Sequence, residues 1–311
     1  MFWENIKEAI TSISSNKMRS LLTMLGIIIG ISSVIIITTI GGSIQSTLTA
    51  TMNSLGGNMV QAYVEARYPE NDEDWATWEQ PEMTDSDYVT QDMIDGLIEK
   101  YPDEVTGVAA QNYLGSGTIK DDADSKNYAN VNIDGITPEY LEYMKLEMHA
   151  GRNLTKADNQ GKKRVCLIAD TMAERYFVGK DPIGETLSVA TSDGGIFDFV
   201  VVGVYVYNQA LFGKVDTSIP EKDRVTELMI PLQTCFKLQG TDRTGYDYFN
   251  LMIDPLADVN QATTDVLSYF DEVYANNKNF HVSAYNMASD LGMINTVLNV
   301  ITIDHAKVGC H

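Results

Sequence analysis

From Ser20 to Val64 the chain carries no Asp, Glu, Lys or Arg. Within that stretch Leu21–Ile40 is a nearly unbroken apolar run. As a helix rising about 1.5 Å per residue it spans about 30 Å, the thickness of a bilayer's hydrocarbon core. The pattern predicts a membrane-crossing helix. A cleaved signal peptide is the alternative, but its apolar region would be shorter and followed by a small-x-small site. Ahead of the run, Phe2, Ile6, Ala9, Ile10 and Ile13 recur at steps of three and four with Trp3 alongside, while Glu4, Lys7, Glu8 and Thr11 take the other faces. That period predicts an amphipathic helix, either lying in the membrane interface in contact with lipid or docking a partner. Behind the run, Ile44, Leu48, Thr51 and Leu55 continue at steps of four, three and four, extending the span as a stalk that Gly56-Gly57 stops.

Past the stalk the periodicity changes. Residues 59–65 read as a strand, 87–101 as a helix halted before Pro102, and 105–111 as a strand. The same strand-helix-strand order returns at 248–253, 257–274 and 280–285. Between them lie strands at 129–136, 165–169, 186–190, 197–207 and 227–230, with helices at 138–144 and 170–177. The expected fold class is α+β: an N-terminal transmembrane helix, then an extracytoplasmic domain of two strand-helix-strand halves with a β-rich inserted subdomain. The expected extents are a cytoplasmic amphipathic helix at 1–19 and a transmembrane and stalk helix at 20–56. The outer domain covers 57–288, with halves at about 57–111 and 227–288 around an insert at about 112–226. Residues 289–311 would be the start of a second span and an atypical tail.

Charge orients this plan. Lys17 and Arg19 directly precede the span and the next basic residue is Arg67, so the positive-inside rule puts the N-terminus in the cytoplasm and the bulk of the chain outside the plasma membrane. The chain's net charge is −21 while its first 19 residues are net positive, so the acidity lies beyond them and would repel nucleic-acid phosphates, which excludes that partner. Three cysteines exclude a disulfide framework. Cys166 and Cys235 read as buried thiols, or alternatively as a disulfide pair. Gly26 and Gly30 form a small-xxx-small pair that would let another helix approach, unless it is an accident of composition.

No catalytic constellation is visible. There is no G-x-x-x-x-G-K-[ST] phosphate loop, so ATP hydrolysis is not expected of this chain, and no G-x-S-x-G, H-E-x-x-H or C-x-x-C occurs. Asp121, Asp122 and Asp124 resemble the opening of a calcium loop, but the glycine and the closing glutamate are missing, Ile133 standing at the twelfth position. No cofactor or metal site is expected. Trp75 and Trp78, beside the acidic stretch 70–74, are candidate partner contacts, or part of a solvated loop.

Asn16 to Gly30, N-K-M-R-S-L-L-T-M-L-G-I-I-I-G, resembles the start of permease subunits of MacB-like ABC transporters, within the FtsX-like permease superfamily. Ser54 to Asn58 is similar to that family's S-L-G-x-N element, Gly151-Arg152-Asn153 to its G-R-x turn, Asp181-Pro182-Ile183-Gly184 to its D-P-I-G turn, and Val200 to Val204 to its V-V-G-V strand. The resemblance implies a porter-type outer subdomain in two halves with a second subdomain inserted. It also implies a permease that couples ATP hydrolysis by a cytoplasmic ABC ATPase to movement of the outer domain, driving efflux of a drug, peptide or lipoprotein. Trp3, Ile6, Ile10 and Ile13 would dock the ATPase, Lys17 and Arg19 would flank the membrane, and Ile44, Leu48, Thr51 and Leu55 would pack against a second permease copy. An extracellular accessory protein is a further possible partner. The family expects three more spans, whereas Leu291–Ile303 is too short to cross and the last residues depart from the family, so a clipped or frameshifted permease is expected, with an artificial end or a natural one-span protein as alternatives. The rival functions are an FtsX-like regulator of a cell-wall hydrolase and a single-span anchored binding or scaffold protein.

Overall fold

A computed structural model describes residues 3–8, 17–54, 59–69, 71, 75–121, 126–212, 218–241 and 243–286. Ile10, Ile13, Leu55, the Gly56-Gly57 stop, most of the acidic 70–74 stretch, Asp122, Asp124 and everything from 287 onward lie outside these residues. The chain divides into two units, Met1–Ser54 with Ala288–His311, and Leu55–Met287.

In the first unit, residues 3–8 are helical and a helix α1 runs over Lys17–Ser54. Its segment Lys17–Ile36 is long and apolar enough to cross a membrane and is unburied throughout. A helix apolar on every side, with no described residue burying it, is unstable in water and at home in lipid.

In the second unit the elements are β1 (Met59–Ala66), α2 (Gln91–Lys100), β2 (Val105–Ala109), β3 (Gln111–Lys120), β4 (Tyr128–Ile136) and α3 (Tyr140–Tyr143). Then come β5 (Met148–Gly151), α4 (Lys156–Gln160), β6 (Val165–Ala169), α5 (Asp170–Tyr176), β7 (Thr186–Thr191), β8 (Ile196–Tyr205) and α6 (Gln209–Phe212). The last are β9 (Val225–Pro231), α7 (Leu232–Leu238), β10 (Tyr248–Ile253), α8 (Val259–Val273) and β11 (Phe280–Asn286). Mixed helix and strand in this order make the α+β class.

Four strands from the two ends of the unit form one antiparallel sheet in the order β11-β1-β10-β2. Along β1, Val60 and Ala62 turn into the core while Gln61 and Tyr63 stay part exposed. Helices α2 and α8 cover the apolar face with Ile94 and Leu97, and with Ala262, Val266 and Phe270. Phe270 meets Phe249 of β10 edge-on at 6.0 Å. Helix α2 begins at Gln91, not at the expected 87. Thr90 is extended and caps the helix by accepting the Met93 N–H, while Asp85–Asp87 forms a separate turn in which Asp87 accepts from Thr84. Asp258 caps α8 in the same way, accepting from Asn260 and Gln261.

The remaining seven strands form a second sheet in the order β5-β8-β6-β9-β4-β3-β7, and β7 also pairs with β8. That last pairing closes six of them into a ring, with β5 added along the far half of β8. Two pairings in the ring, β4 with β9 and β6 with β8, are parallel. Its core is built from residues such as Ile119, Val131, Ile133, Leu167, Phe199 and Ile230.

Helix α7 joins the two cores. Leu232 and Phe236 pack in the core of the four-stranded sheet, while Cys235 belongs to the core of the ring. Gly135 on β4 permits this contact: a Cβ there would lie 2.3 Å from the Cys235 Cβ and 3.3 Å from the Leu232 Cα. Thr137 ties the same junction, donating to the Val108 carbonyl and accepting the Ala110 N–H.

Candidate functional site

The residues expected to dock a partner fall into two groups. Trp3 is 80% exposed on the helical stretch 3–8, and Ile6 is half-buried. Ile10 and Ile13 lie outside the described residues. Lys17 and Arg19 are exposed in the first turn of α1. Ile44, Leu48 and Thr51 fall on the last turns of the same continuous helix, so stalk and span are one element, while Leu55 is outside the description. In chain order the next described element is β1, the strand second from the edge of the four-stranded sheet.

The turns that carried the family resemblance converge on one strand. The third of them is β8 itself. Gly151 ends β5 at a φ of 73°, where a Cβ would strike the Val202 carbonyl at 2.4 Å, and the next residue, Arg152, donates its N–H to that carbonyl. In the D-P-I-G turn, Asp181 accepts the Ile183 N–H and Gly184 donates to the Val201 carbonyl. These motifs shape the ring rather than a reaction centre.

Arg152 also reaches Asp158, which is buried in a capping box with Thr155 at the start of α4 and accepts from Arg152, Thr155 and Lys163. Burial alone would raise this carboxyl, but the bonds from Arg152, Thr155 and Lys163 outweigh it and hold the group far below the ordinary carboxylate range.

Two concavities lie in the outer unit. One, of about 340 Å³, is polar and of mixed sign, lined by Gln91, Asp95, Glu139, Lys156, Gln233 and Tyr246, where α2 faces the loop region around α4. The other, of about 380 Å³, opens against β3, β4 and β9. A polar ladder crosses these strands: Ser116 donates to Asn132 at 3.0 Å and Asn132 donates to Glu227 Oε1 at 3.3 Å. Next to it stands Asp134, 5% exposed, two residues along β4 from Asn132, which is in register with Glu227 of β9. Burial first, and the Asp134 charge second, push the Glu227 carboxyl up to about 7. The sequence carried a signal for this pair that pattern reading passed over: a single acid in each of two strands rich in apolar residues, VNIDGI and TELMIP.

Cys166 and Cys235 are buried and unbridged, and burial pushes both thiols up. Trp75 and Trp78 stack with Tyr68 in one aromatic cluster. Among the described residues no group of three or more His, Cys, Asp and Glu is arranged for a metal.

The chain is 25% identical over 301 residues to an uncharacterized ABC transporter permease, YknZ, of Bacillus subtilis, covering 96% of this chain and 68% of that protein. It is 24% identical over 221 residues to the macrolide export ATP-binding/permease protein MacB of Neisseria gonorrhoeae, covering 69% of this chain but 30% of that protein. The crystallised periplasmic region of MacB from Actinobacillus actinomycetemcomitans matches 80% of this chain and 95% of its own length at 16% identity, with a TM-score of 0.48. Residues 20–269 match the family model described as the MacB-like periplasmic core domain. The match begins inside α1 and runs through the ring and three of the four strands of the other sheet to end inside α8, and on that extent the chain belongs to the MacB-like periplasmic core domain family.

Proposed function

We propose that the chain is the N-terminal part of a permease subunit of an ABC-type exporter. The observation that carries this is the family match running without a break from the apolar helix into the outer unit. In this reading a separate cytoplasmic ATPase binds and hydrolyses ATP. Trp3, Ile6, Ile10 and Ile13 receive its movement on the inner side, with Lys17 and Arg19 holding the N-terminus in the cytoplasm. The continuous helix α1 passes the movement to the outer domain, and Ile44, Leu48, Thr51 and Leu55 pair with a second permease copy to form the stalk. The result is export of an amphiphilic cargo of the drug, peptide or lipoprotein kind.

The test is co-purification. Replacing Ile6 and Ile10 together with Asp puts two charges on the apolar face of the first helix. With the complete permease and the ATPase expressed from a neighbouring gene, recovery of the ATPase with the permease should fall at least several-fold while the outer domain keeps its unfolding profile. Unchanged recovery would remove the docking role, and a neighbourhood with no Walker-motif ATPase would favour a single-span anchored binding protein.

A further inference from the structure

The 380 Å³ cavity contains a chemical conflict. Asp134 and Glu227 are two acceptors facing each other, and each is poorly supplied with donors. Glu227 Oε2 is buried with no hydrogen-bond partner, and among the described residues no N–H or O–H donates to Asp134. No described lysine or arginine pairs with either of them. A buried Asp134 beside a half-buried Glu227 whose Oε2 is enclosed is relieved by a shared proton or by a cation. The rest of the wall is mixed: Gln111 and Asn132 add polar atoms, while Tyr113, Tyr140, Met144 and Phe212 add aromatic and thioether surface. The cavity has room on the order of ten water molecules at about 30 Å³ each, far more than a bare ion fills. Two carboxyls beside aromatic faces, in a cavity of this size, match an organic cation better than a bare metal ion.

We propose that this cavity binds a primary organic ammonium ion with an apolar body. The –NH₃⁺ group lies between Asp134 and Glu227 in place of the shared proton, and the body rests against Tyr113, Phe212 and Met144.

Binding then exchanges a proton for the ammonium. The other titratable groups facing the pair are Tyr140 on α3, Tyr205 on β8, Tyr207 beyond it and Cys235 on α7. Burial raises these four, so they are neutral near pH 7, where Glu227 titrates. An alkylammonium, like a lysine, stays charged across that range. With Glu227 titrating near 7, affinity should rise about tenfold from about pH 6 to about pH 8 as the competing proton is lost.

The experiment is calorimetric titration of the detergent-solubilised chain with phenethylammonium chloride, run in two buffers of different ionisation heat so that released protons are counted. The expected result is binding that tightens about tenfold between about pH 6 and about pH 8, with release approaching one proton at the lower pH. The neutral isostere 2-phenylethanol should bind far more weakly. E227Q should lose the pH step and at least tenfold of the affinity at the higher pH, whereas D92N, an exposed acid on α2, should leave binding unchanged. If E227Q fails to fold, F212A serves instead: it should weaken phenethylammonium while leaving the weaker binding of methylammonium in place. Equal binding of 2-phenylethanol, unchanged binding in E227Q or in F212A, no heat at millimolar ligand, or tighter displacement by Ca²⁺ or Mn²⁺ alone would each overturn the proposal, the last in favour of a metal site.

Discussion

The close approach of β4 to α7 at Gly135 offers the sharpest test of the junction between the two cores. A Cβ at position 135 would lie 2.3 Å from the Cys235 Cβ, 3.0 Å from its Sγ and 3.3 Å from the Leu232 Cα. Carbon atoms settle at about 3.5–4.0 Å, so G135A requires α7 to move by about an ångström or more. The helix has little freedom to do so, because Leu232 and Phe236 are 1% and 2% exposed in the core on its other side. Overpacking of this kind costs about 1–3 kcal/mol, and a clash with a helix backbone belongs at the upper end. The alanine recovers about 0.5–1 kcal/mol through the stiffer unfolded chain, leaving about 2 kcal/mol of destabilisation. C235G removes both side-chain atoms from the collision. Alone it should cost about 1–2 kcal/mol, from the lost buried thiol and the poorer helix former. In the G135A/C235G double variant the main clash is gone, so the total should be about 2 kcal/mol instead of the additive 3–4, a coupling of about 1–2 kcal/mol. Urea unfolding of the full chain in detergent, followed by circular dichroism, measures all four corners of the cycle. A G135A variant within about 0.5 kcal/mol of the parent, or a double variant that is additive within that margin, would refute the account of the junction.

Asp158 supplies a second prediction. D158A removes a capping box and two charge-assisted bonds, and since Arg152 and Lys163 are half exposed and can rehydrate, the loss should be about 2–3 kcal/mol in the same assay. Its folded-state carboxyl titrates below the unfolded value, so its contribution is complete above about pH 4 and disappears as pH falls further; the D158A unfolding profile should therefore be flatter on the acid side than the parent's. For topology, a cysteine at exposed Thr241 in a C310S background should react with a membrane-impermeant thiol reagent on intact cells, the buried Cys166 and Cys235 giving little background; labelling only after lysis would reverse the orientation.

Elements with strong local periodicity were legible in the sequence. The apolar span announces itself by composition, and β1, β6, β7, β10 and β11 stand within a residue or two of the strands that alternation marks. The misses have physical reasons. Strand β3 contains Gly115 and Gly117 and several polar residues, and is held by β4 and β7 rather than by any pattern of its own. Helix α7 is too short and too buried on all sides to show an amphipathic stripe, because both of its faces meet a core. The closing of six strands into a ring depends on β7 meeting both β3 and β8, a long-range choice that no window of sequence encodes. Asp134 and Glu227 belong to the same class of information: each is one acid in a strand, and only the parallel pairing of β4 with β9 makes them neighbours.

The sheet that joins the two ends of the outer unit also sets an order of assembly. Strand β1 lies between β10 and β11, so Val60 pairs with Leu251 and Asn286, residues that leave the ribosome roughly two hundred positions later. The ring strands β3 to β9 need only one another and are complete first. Loop closure over that distance is slow when the chain between is loose, but the finished ring brings β2 and β10, its flanking strands, side by side and turns a long search into a short one. Strand β1 meanwhile emerges on the end of the membrane helix with its backbone unpaired. The interval before β10 and β11 arrive is the period in which this chain is most exposed to pairing with the wrong strand, including the β1 of a neighbouring copy.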